Sequence, residues 1–156
     1  MKNGLIEQLK TQEKFFLNTV SVLTEEDSSF KPKEEMYTVA QQIAHAADTV
    51  NWFLEGAFGS AGFEMNFEKY DEKMKAHTSF DESIQYFKNE FANGISRLES
   101  IDDSELVAPI SGPIMTGAPK LAVVGAIADH TAHHRGALAV YARLLGKVPQ
   151  MPYGEM

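Results

Sequence analysis

The chain has 156 residues, a formal net charge of −8 and no cysteine. The acidic balance argues against binding to nucleic-acid phosphates, and the lack of cysteine excludes disulfides, thiol nucleophiles and cysteine-bound metals. The 44% apolar and 23% charged residues are typical of a globular protein, and no apolar run reaches the ~18 residues that a membrane span needs.

Two amphipathic helices are predicted in the first part of the chain. Apolar residues recur at spacings of three and four over 5–23, which is typical of a helix with one buried face. A second apolar stripe runs over 38–58, and Thr38 with Gln41 forms a capping box at its start. Only two charged residues occur in this second segment. We therefore expect the second helix to be contacted on more than one side.

Two further helices are predicted after a long connection. Residues 59–77 mix aromatic and charged side chains without a helical period, and we interpret them as an irregular crossover. The third helix is predicted over 80–100, after a capping box that begins at Ser79. The fourth is predicted over 119–145 and ends at Gly146, which is suited to a left-handed cap.

These elements predict an all-α fold, a four-helix bundle around one core. Antiparallel neighbours need only a short turn, whereas about twenty residues separate the second and third helices, so we expect a crossover topology in which those two helices run parallel. The length predicts a single domain over 1–156. The start of the chain lacks the apolar core of a signal peptide, and we expect a cytoplasmic protein.

Five histidines are the main candidates for chemistry, and two of them share a helix face. His130 and His134 are four residues apart in the fourth predicted helix, so their side chains project about 40° apart. Both interrupt an apolar stripe, where a buried ring nitrogen without a partner costs about 1–3 kcal/mol. A shared metal ion would satisfy one nitrogen on each ring. The alternative is a buried, hydrogen-bonded pair.

The other histidines are less clearly placed. His45 lies in the middle of the second helix, about 160° from its apolar stripe, and faces either solvent or a polar cleft against the fourth helix. Trp52 on the same side, and the lack of lysine and arginine there, favour the cleft. His133 is turned about 100° from His134, so it cannot chelate beside the pair and suits a supporting role. His77 precedes the third helix and is predicted to lie at the surface.

Several well-known site types do not fit the sequence. No acidic residue stands three positions before any histidine, as di-iron bundles require. There is no HExxH helix, no phosphate-binding GxxxxGK[ST] loop and no GxSxG nucleophile turn.

Three segments together resemble the DinB/YfiT-like superfamily. They are TVAQQIAHAAD in the second helix, DHTAHHRGAL in the fourth and the ending YARLLGKVPQMPYG. The resemblance spans nearly the whole chain and implies an up-down-down-up four-helix bundle, in agreement with the crossover. It also implies a divalent metal held by His45, His130 and His134, and nickel, zinc, manganese and iron all suit such a site. One departure is Ala137, where many relatives have glutamine.

The resemblance further implies thiol chemistry. Characterised relatives transfer small cellular thiols such as bacillithiol, mycothiol or glutathione, and other members are described as metal-dependent hydrolases. We therefore expect a transferase that joins a small thiol, supplied with the substrates, to an electrophilic small molecule. Asp48, His133 and Tyr141 are the candidates for orienting ligands or relaying a proton, and Trp52 is a candidate for the substrate pocket.

Two other hypotheses stay open. The same metal site suits a hydrolase of an amide or ester, because a metal also acidifies water. A non-enzymatic role is the third hypothesis, in which a stress-related bundle with a structural metal works as a homodimer.

Overall fold

The computed structural model describes residues 1–154, and its regular elements are helices. The helices are α1 (Lys2–Val20), α2 (Val39–Phe58), α3 (Phe67–Lys75), α4 (Phe80–Ser100), α5 (Asp103–Leu106) and α6 (Ala122–Leu144). A 3-10 turn at Glu25–Asp27 lies between α1 and α2. Over the described range there is no strand, and only an isolated bridge joins Pro109 and Pro119. The predicted all-α class is confirmed.

Local sequence signals set the starts of the two central helices. The Thr38 hydroxyl accepts from the Gln41 amide at 3.3 Å, and the Gln41 side chain accepts from the Thr38 amide at 3.0 Å. The Ser79 hydroxyl likewise accepts from the Glu82 amide at 3.2 Å. These bonds satisfy backbone donors that a helix start leaves unpaired. The second and third predicted helices therefore begin within one residue of their predicted positions.

The outer helices deviate more from the prediction. The helix predicted over 5–23 spans Lys2–Val20, and the one predicted from residue 119 begins at Ala122. The later start arises because the amides of residues 122–124 bond to the carbonyls three residues before them, which makes the preceding turn tighter than an α-helix. The amides of Lys120 and Leu121 bond to the carbonyls of residues 108 and 106. Gly146 has a φ of 77° and ends α6 in the predicted left-handed conformation.

Side-chain contacts show that α2 and α4 run parallel. Asp48 of α2 accepts a hydrogen bond from Tyr86 of α4 at 2.5 Å, and Glu55 pairs with Arg97 at 2.8 Å. The contacts therefore advance in the same direction along both helices. This is the arrangement that the long connection predicts.

The remaining pairs complete an up-down-down-up bundle. Lys2 of α1 bonds to the Glu99 carbonyl at 3.2 Å, and Phe16 stacks on Phe87 at 4.1 Å, so α1 runs antiparallel to α4. Gln42 of α2 reaches Tyr141 near the end of α6, so α6 runs antiparallel to α2. The predicted topology is confirmed, and α2 is buried at thirteen of its twenty residues.

The connection between α2 and α4 is not an irregular crossover. It contains α3, which lies against α2: the Tyr37 hydroxyl donates to Asp71 at 2.8 Å, and Lys73 pairs with Asp48. The sequence pattern of this stretch does not predict a helix, because contacts to other elements rather than an apolar stripe hold α3 in place. None of the helices within residues 1–154 is long and apolar enough to cross a membrane.

Candidate metal centre

Three histidines from two helices meet between α2 and α6. One nitrogen from each of His45, His130 and His134 can be chosen so that all three lie within 4.8 Å of one another. The ring centroids are 4.4 to 4.9 Å apart. His45 thus faces the cleft between α2 and α6, where it is half-buried, and this decides between the two orientations that the sequence left open.

The placement of His45 follows from the burial of α2. The apolar stripe of α2 packs toward the core, and α6 and α3 partly cover its opposite side, on which His45 and Trp52 are half-buried. On α6, the spacing of four residues brings His130 and His134 onto one face, with their Nε2 atoms 3.1 Å apart. Two helices therefore present three imidazoles to one point.

Burial keeps these imidazoles neutral. It lowers the pKa of His45 below its usual value. It lowers the pKa of His130 to about 4, with repulsion from neighbouring rings adding to the effect, and it lowers the pKa of His134 as well. A neutral imidazole has a free lone pair on one nitrogen, which is the form that binds a metal.

The protein itself leaves part of this cluster unsatisfied. The Nδ1 atoms of His45 and His130 are buried and have no hydrogen-bond partner within residues 1–154. Unpaired ring nitrogens in a buried site are costly. Three neutral nitrogen donors at these separations fit a divalent ion that takes one nitrogen from each ring. Such sites with three protein ligands leave a further coordination position open.

The ring of His134 is held in one tautomer by a chain of hydrogen bonds. The Tyr141 hydroxyl donates to the carbonyl of Tyr37 at 3.0 Å, so its oxygen accepts from the Gln42 amide nitrogen at 3.3 Å. The Gln42 carboxamide oxygen must then face His134, whose Nδ1 lies 2.5 Å away. His134 therefore carries its proton on Nδ1 and directs the Nε2 lone pair toward His130.

Gln42 is a residue of the candidate site that the sequence did not single out. It lies three residues before His45 and contacts the ring of His134 across the helix interface. A polar residue one turn before a candidate ligand was the available signal. Tyr141, which was predicted to orient ligands, acts on His134 only through Gln42.

The other two supporting candidates lie elsewhere. Asp48 forms no hydrogen bond with the three clustered histidines; its buried carboxylate accepts from Tyr86 at 2.5 Å and from Lys73. His133 is exposed and presents a ring edge to His134 at a centroid distance of 4.9 Å. His77, expected at the surface, is half-buried and stacks on Tyr86 at 5.2 Å.

A mainly apolar cavity opens onto the cluster, and we call it the imidazole cavity. It has a volume of about 170 Å³. Besides His45 and His130, its walls are formed by Thr49, Trp52, Phe53, Phe67 and Tyr70. Trp52, predicted to belong to a substrate pocket, is fixed by a hydrogen bond from its Nε1 to the Glu64 carbonyl at 2.8 Å. α3 contributes Phe67 and Tyr70 and so forms part of the cavity wall.

Comparison with known proteins identifies similar sequences and folds. Residues 8–138 match the DinB superfamily. A DinB-like protein from Bacillus cereus ATCC 10987 is 18% identical, with a TM-score of 0.74 over 98% of this chain and 97% of that chain. At this identity the likeness concerns the fold.

A second solved structure is similar in the same way. YfiT from Bacillus subtilis is 17% identical, with a TM-score of 0.69 over 94% of this chain and 88% of that chain. YfiT is described as a probable metal-dependent hydrolase with an unusual four-helix bundle topology. No functionally curated protein matched the chain significantly.

Proposed function

The chain belongs to the DinB superfamily, and on this premise we propose that it is a metal-dependent enzyme that joins a small thiol to an electrophilic small molecule. The metal would be a divalent ion held by His45, His130 and His134. The net reaction would form a carbon–sulfur bond and release the thiol proton together with the leaving group of the electrophile. The observation that carries the proposal is the imidazole cavity, in which apolar walls meet His45 and His130, two of the three clustered imidazoles.

A bound divalent metal would supply a positive centre that acidifies a thiol or a water molecule at its open position. Because the chain has no cysteine, the thiol must be a substrate. The protein contributes Gln42, which fixes the tautomer of His134, and the buried setting that keeps the three rings neutral.

The cavity walls suit an uncharged electrophile. Trp52, Phe53 and Phe67 present aromatic surface beside His45 and His130. Such walls bind apolar groups.

The polar groups of the cavity also favour thiol transfer. Of the described residues, those that line it include no carboxylate. Hydrolysis of an amide requires a group that passes a proton to the leaving amine. The phenol of Tyr70 lines the cavity, but burial raises its pKa and makes it a weaker acid. A thiol that loses its proton needs no such donor when the leaving group is a stable anion. A metal-dependent hydrolase is the second candidate, supported by the description of YfiT.

Conjugation by the metal-loaded protein tests the proposal. The protein would be incubated with a thiol panel and monochlorobimane, and in parallel with ester and amide substrates. We expect metal-dependent conjugation that His130→Ala abolishes. Val140→Ala is the matched control, because this exposed residue is on the same helix and outside the cluster. Turnover of esters or amides without acceleration of any thiol would overturn the first proposal in favour of the second.

A further inference from the structure

A second cavity adjoins the imidazole cavity, and we call it the polar cavity. It has a volume of about 340 Å³ and lies between α2 and the segment that contains α3. Trp52 and Tyr70 line both cavities. The two cavities are therefore neighbours that share these two side chains as a wall, and His45 and His130 line only the imidazole cavity. The volume falls within the range of small-molecule sites.

Most charges of the polar cavity are already neutralised by the protein. The carboxylate of Asp48 pairs with Lys73, and that of Glu55 pairs with Arg97 at 2.8 Å. Charges paired in this way offer little to a ligand.

Two charges of opposite sign are left over, on side chains that are exposed at the open side of the cavity. The ammonium of Lys69 forms no hydrogen bond or ion pair within residues 1–154, although Lys69 lines the cavity. Glu64 also lines it, and only one of its carboxylate oxygens is engaged, by the Asn66 amide at 2.8 Å. The side-chain amide of Asn51 adds an uncharged donor and acceptor without a partner in the described part of the chain.

The segment that bears these groups is held by hydrogen bonds. The Glu64 carbonyl accepts from the indole of Trp52 at 2.8 Å, which anchors the segment to α2. The Asn66 side chain caps α3 by accepting from the Lys69 amide at 3.0 Å. Binding at a preformed site loses less conformational entropy than binding at a mobile one. The aromatic faces of Trp52 and Tyr70 add surface that attracts both methylene groups and cations.

We infer that the polar cavity binds a small zwitterion, a molecule with an ammonium and a carboxylate on a short carbon frame, as in an amino acid. Lys69 and Asn51 would bind the carboxylate, and Glu64 would bind the ammonium. A ligand with one charge would leave either Lys69 or Glu64 unmatched. If this ligand is the polar part of the thiol substrate, an assignment that rests on the proposed function, its sulfur would extend past Trp52 and Tyr70 toward the histidines.

Binding of sulfur-capped probes separates this cavity from metal chemistry. S-methyl-L-cysteine carries both charges, 2-(methylthio)ethylamine only the ammonium and 3-(methylthio)propionate only the carboxylate, on the same frame without a free thiol. Affinities would be measured by ligand-observed NMR titration of the full chain freed of metal by chelator, with the fold checked by circular dichroism. We expect S-methyl-L-cysteine to bind at least tenfold more tightly than either singly charged probe.

Two substitutions assign the charges. Lys69→Gln should weaken the binding of S-methyl-L-cysteine and of 3-(methylthio)propionate at least fivefold. It should leave the affinity for 2-(methylthio)ethylamine within twofold of wild type. Glu64→Gln should weaken the binding of S-methyl-L-cysteine and of 2-(methylthio)ethylamine at least fivefold and leave the affinity for 3-(methylthio)propionate within twofold of wild type. Lys75→Gln is the matched control, because Lys75 is on the same helix and pairs with Asp71 outside the cavity; it should leave all three affinities within twofold.

The outcomes separate the two proposals. Equal affinities for the three probes, or an unchanged affinity in Lys69→Gln, would overturn the zwitterion site even if thiol conjugation is observed. Tight binding of S-methyl-L-cysteine without any conjugation would support the site and overturn the transferase instead.

Discussion

The carboxamide oxygen of Gln42 lies 2.5 Å from Nδ1 of His134, while Nε2 of the same ring faces His130. One helix therefore performs two tasks at the centre. α2 supplies His45 as a candidate ligand, and one turn earlier it fixes the orientation of a histidine on α6. The relative position of α2 and α6 thus determines both the distance of the His45 ring from the two rings of α6 and the tautomer of His134.

Replacing Gln42 by leucine should weaken metal binding about 10–100-fold, because the loss of an outer hydrogen bond to a ligand histidine typically has an effect of this size. Competition with a chromophoric chelator measures the affinity. Gln42→Glu is the matched variant, since a carboxylate still accepts from Nδ1, and it should bind metal more tightly than Gln42→Leu. Wild-type affinity in Gln42→Leu would show that His134 needs no such support.

Metal should raise the melting temperature only when the cluster is complete. At a free metal concentration of 100 times Kd, binding stabilises the native state by about 2.7 kcal/mol, which corresponds to roughly 5–11 °C for a chain of this size. We expect this shift in wild type and in Val140→Ala, an exposed position on α6, and its loss in His45→Ala, measured by differential scanning calorimetry. A full shift in His45→Ala would mean that α2 provides no ligand.

Asp48→Asn should lower the free energy of unfolding by about 1–3 kcal/mol, because the buried carboxylate accepts hydrogen bonds from two other helices. Its partners are Tyr86 on α4 and Lys73 on α3. Urea denaturation measures the loss, and hydrogen exchange should show faster opening of α3. The matched control is Glu34→Gln, in a surface pair with Lys31, which should change stability by less than about 0.5 kcal/mol. A loss of unfolding free energy in Asp48→Asn that is no larger than in Glu34→Gln would contradict the prediction.

Acid should weaken the contact between Asp27 and Lys147, which joins the 3-10 turn to the end of α6. Burial alone would raise the pKa of the Asp27 carboxyl, but hydrogen bonds from Lys147 and from the Thr24 amide lower it below its usual value. Because the pKa of this carboxyl is lower in the folded state, ionised Asp27 stabilises the protein at pH values above its unfolded-state pKa of about 3.9. This contribution is lost as the pH falls through the folded-state pKa.

Asp27→Asn should therefore be less stable than wild type at pH 7, with the difference narrowing below about pH 4. Urea denaturation from pH 7 to pH 3 measures this dependence. A difference in unfolding free energy that stays constant over the range would contradict the assignment. Glu7→Gln, in the exposed pair with Lys10, serves as the comparison and should show little difference at any pH.

The sequence predicted the bundle better than the connection that covers it. Capping residues such as Thr38 and Ser79 act through local hydrogen bonds, so the starts of α2 and α4 can be read from a few neighbouring residues. α3 was missed because Asp71 and Lys73 hold it through partners far away in the chain. Such contacts leave no periodic pattern in the segment itself.

The histidine cluster was only partly predictable for a related reason. The spacing of His130 and His134 is local, and their shared face follows from helix geometry. Whether the side of α2 that bears His45 faces solvent or another helix depends on how the helices pack. Neither the spacing nor the composition of α2 determines that packing. Gln42 was missed because its role depends on contacts with two residues of α6.

The connection from α2 to α4 must be long because these helices run parallel, and in this protein that length forms two cavity walls. The three clustered histidines and Gln42 belong to the bundle helices, whereas Phe67, Lys69 and Tyr70 belong to the connection. Changes between residues 59 and 79 can therefore alter which molecules are admitted while leaving the candidate metal ligands in place. Within such a fold, substrate choice and metal binding are free to diverge separately.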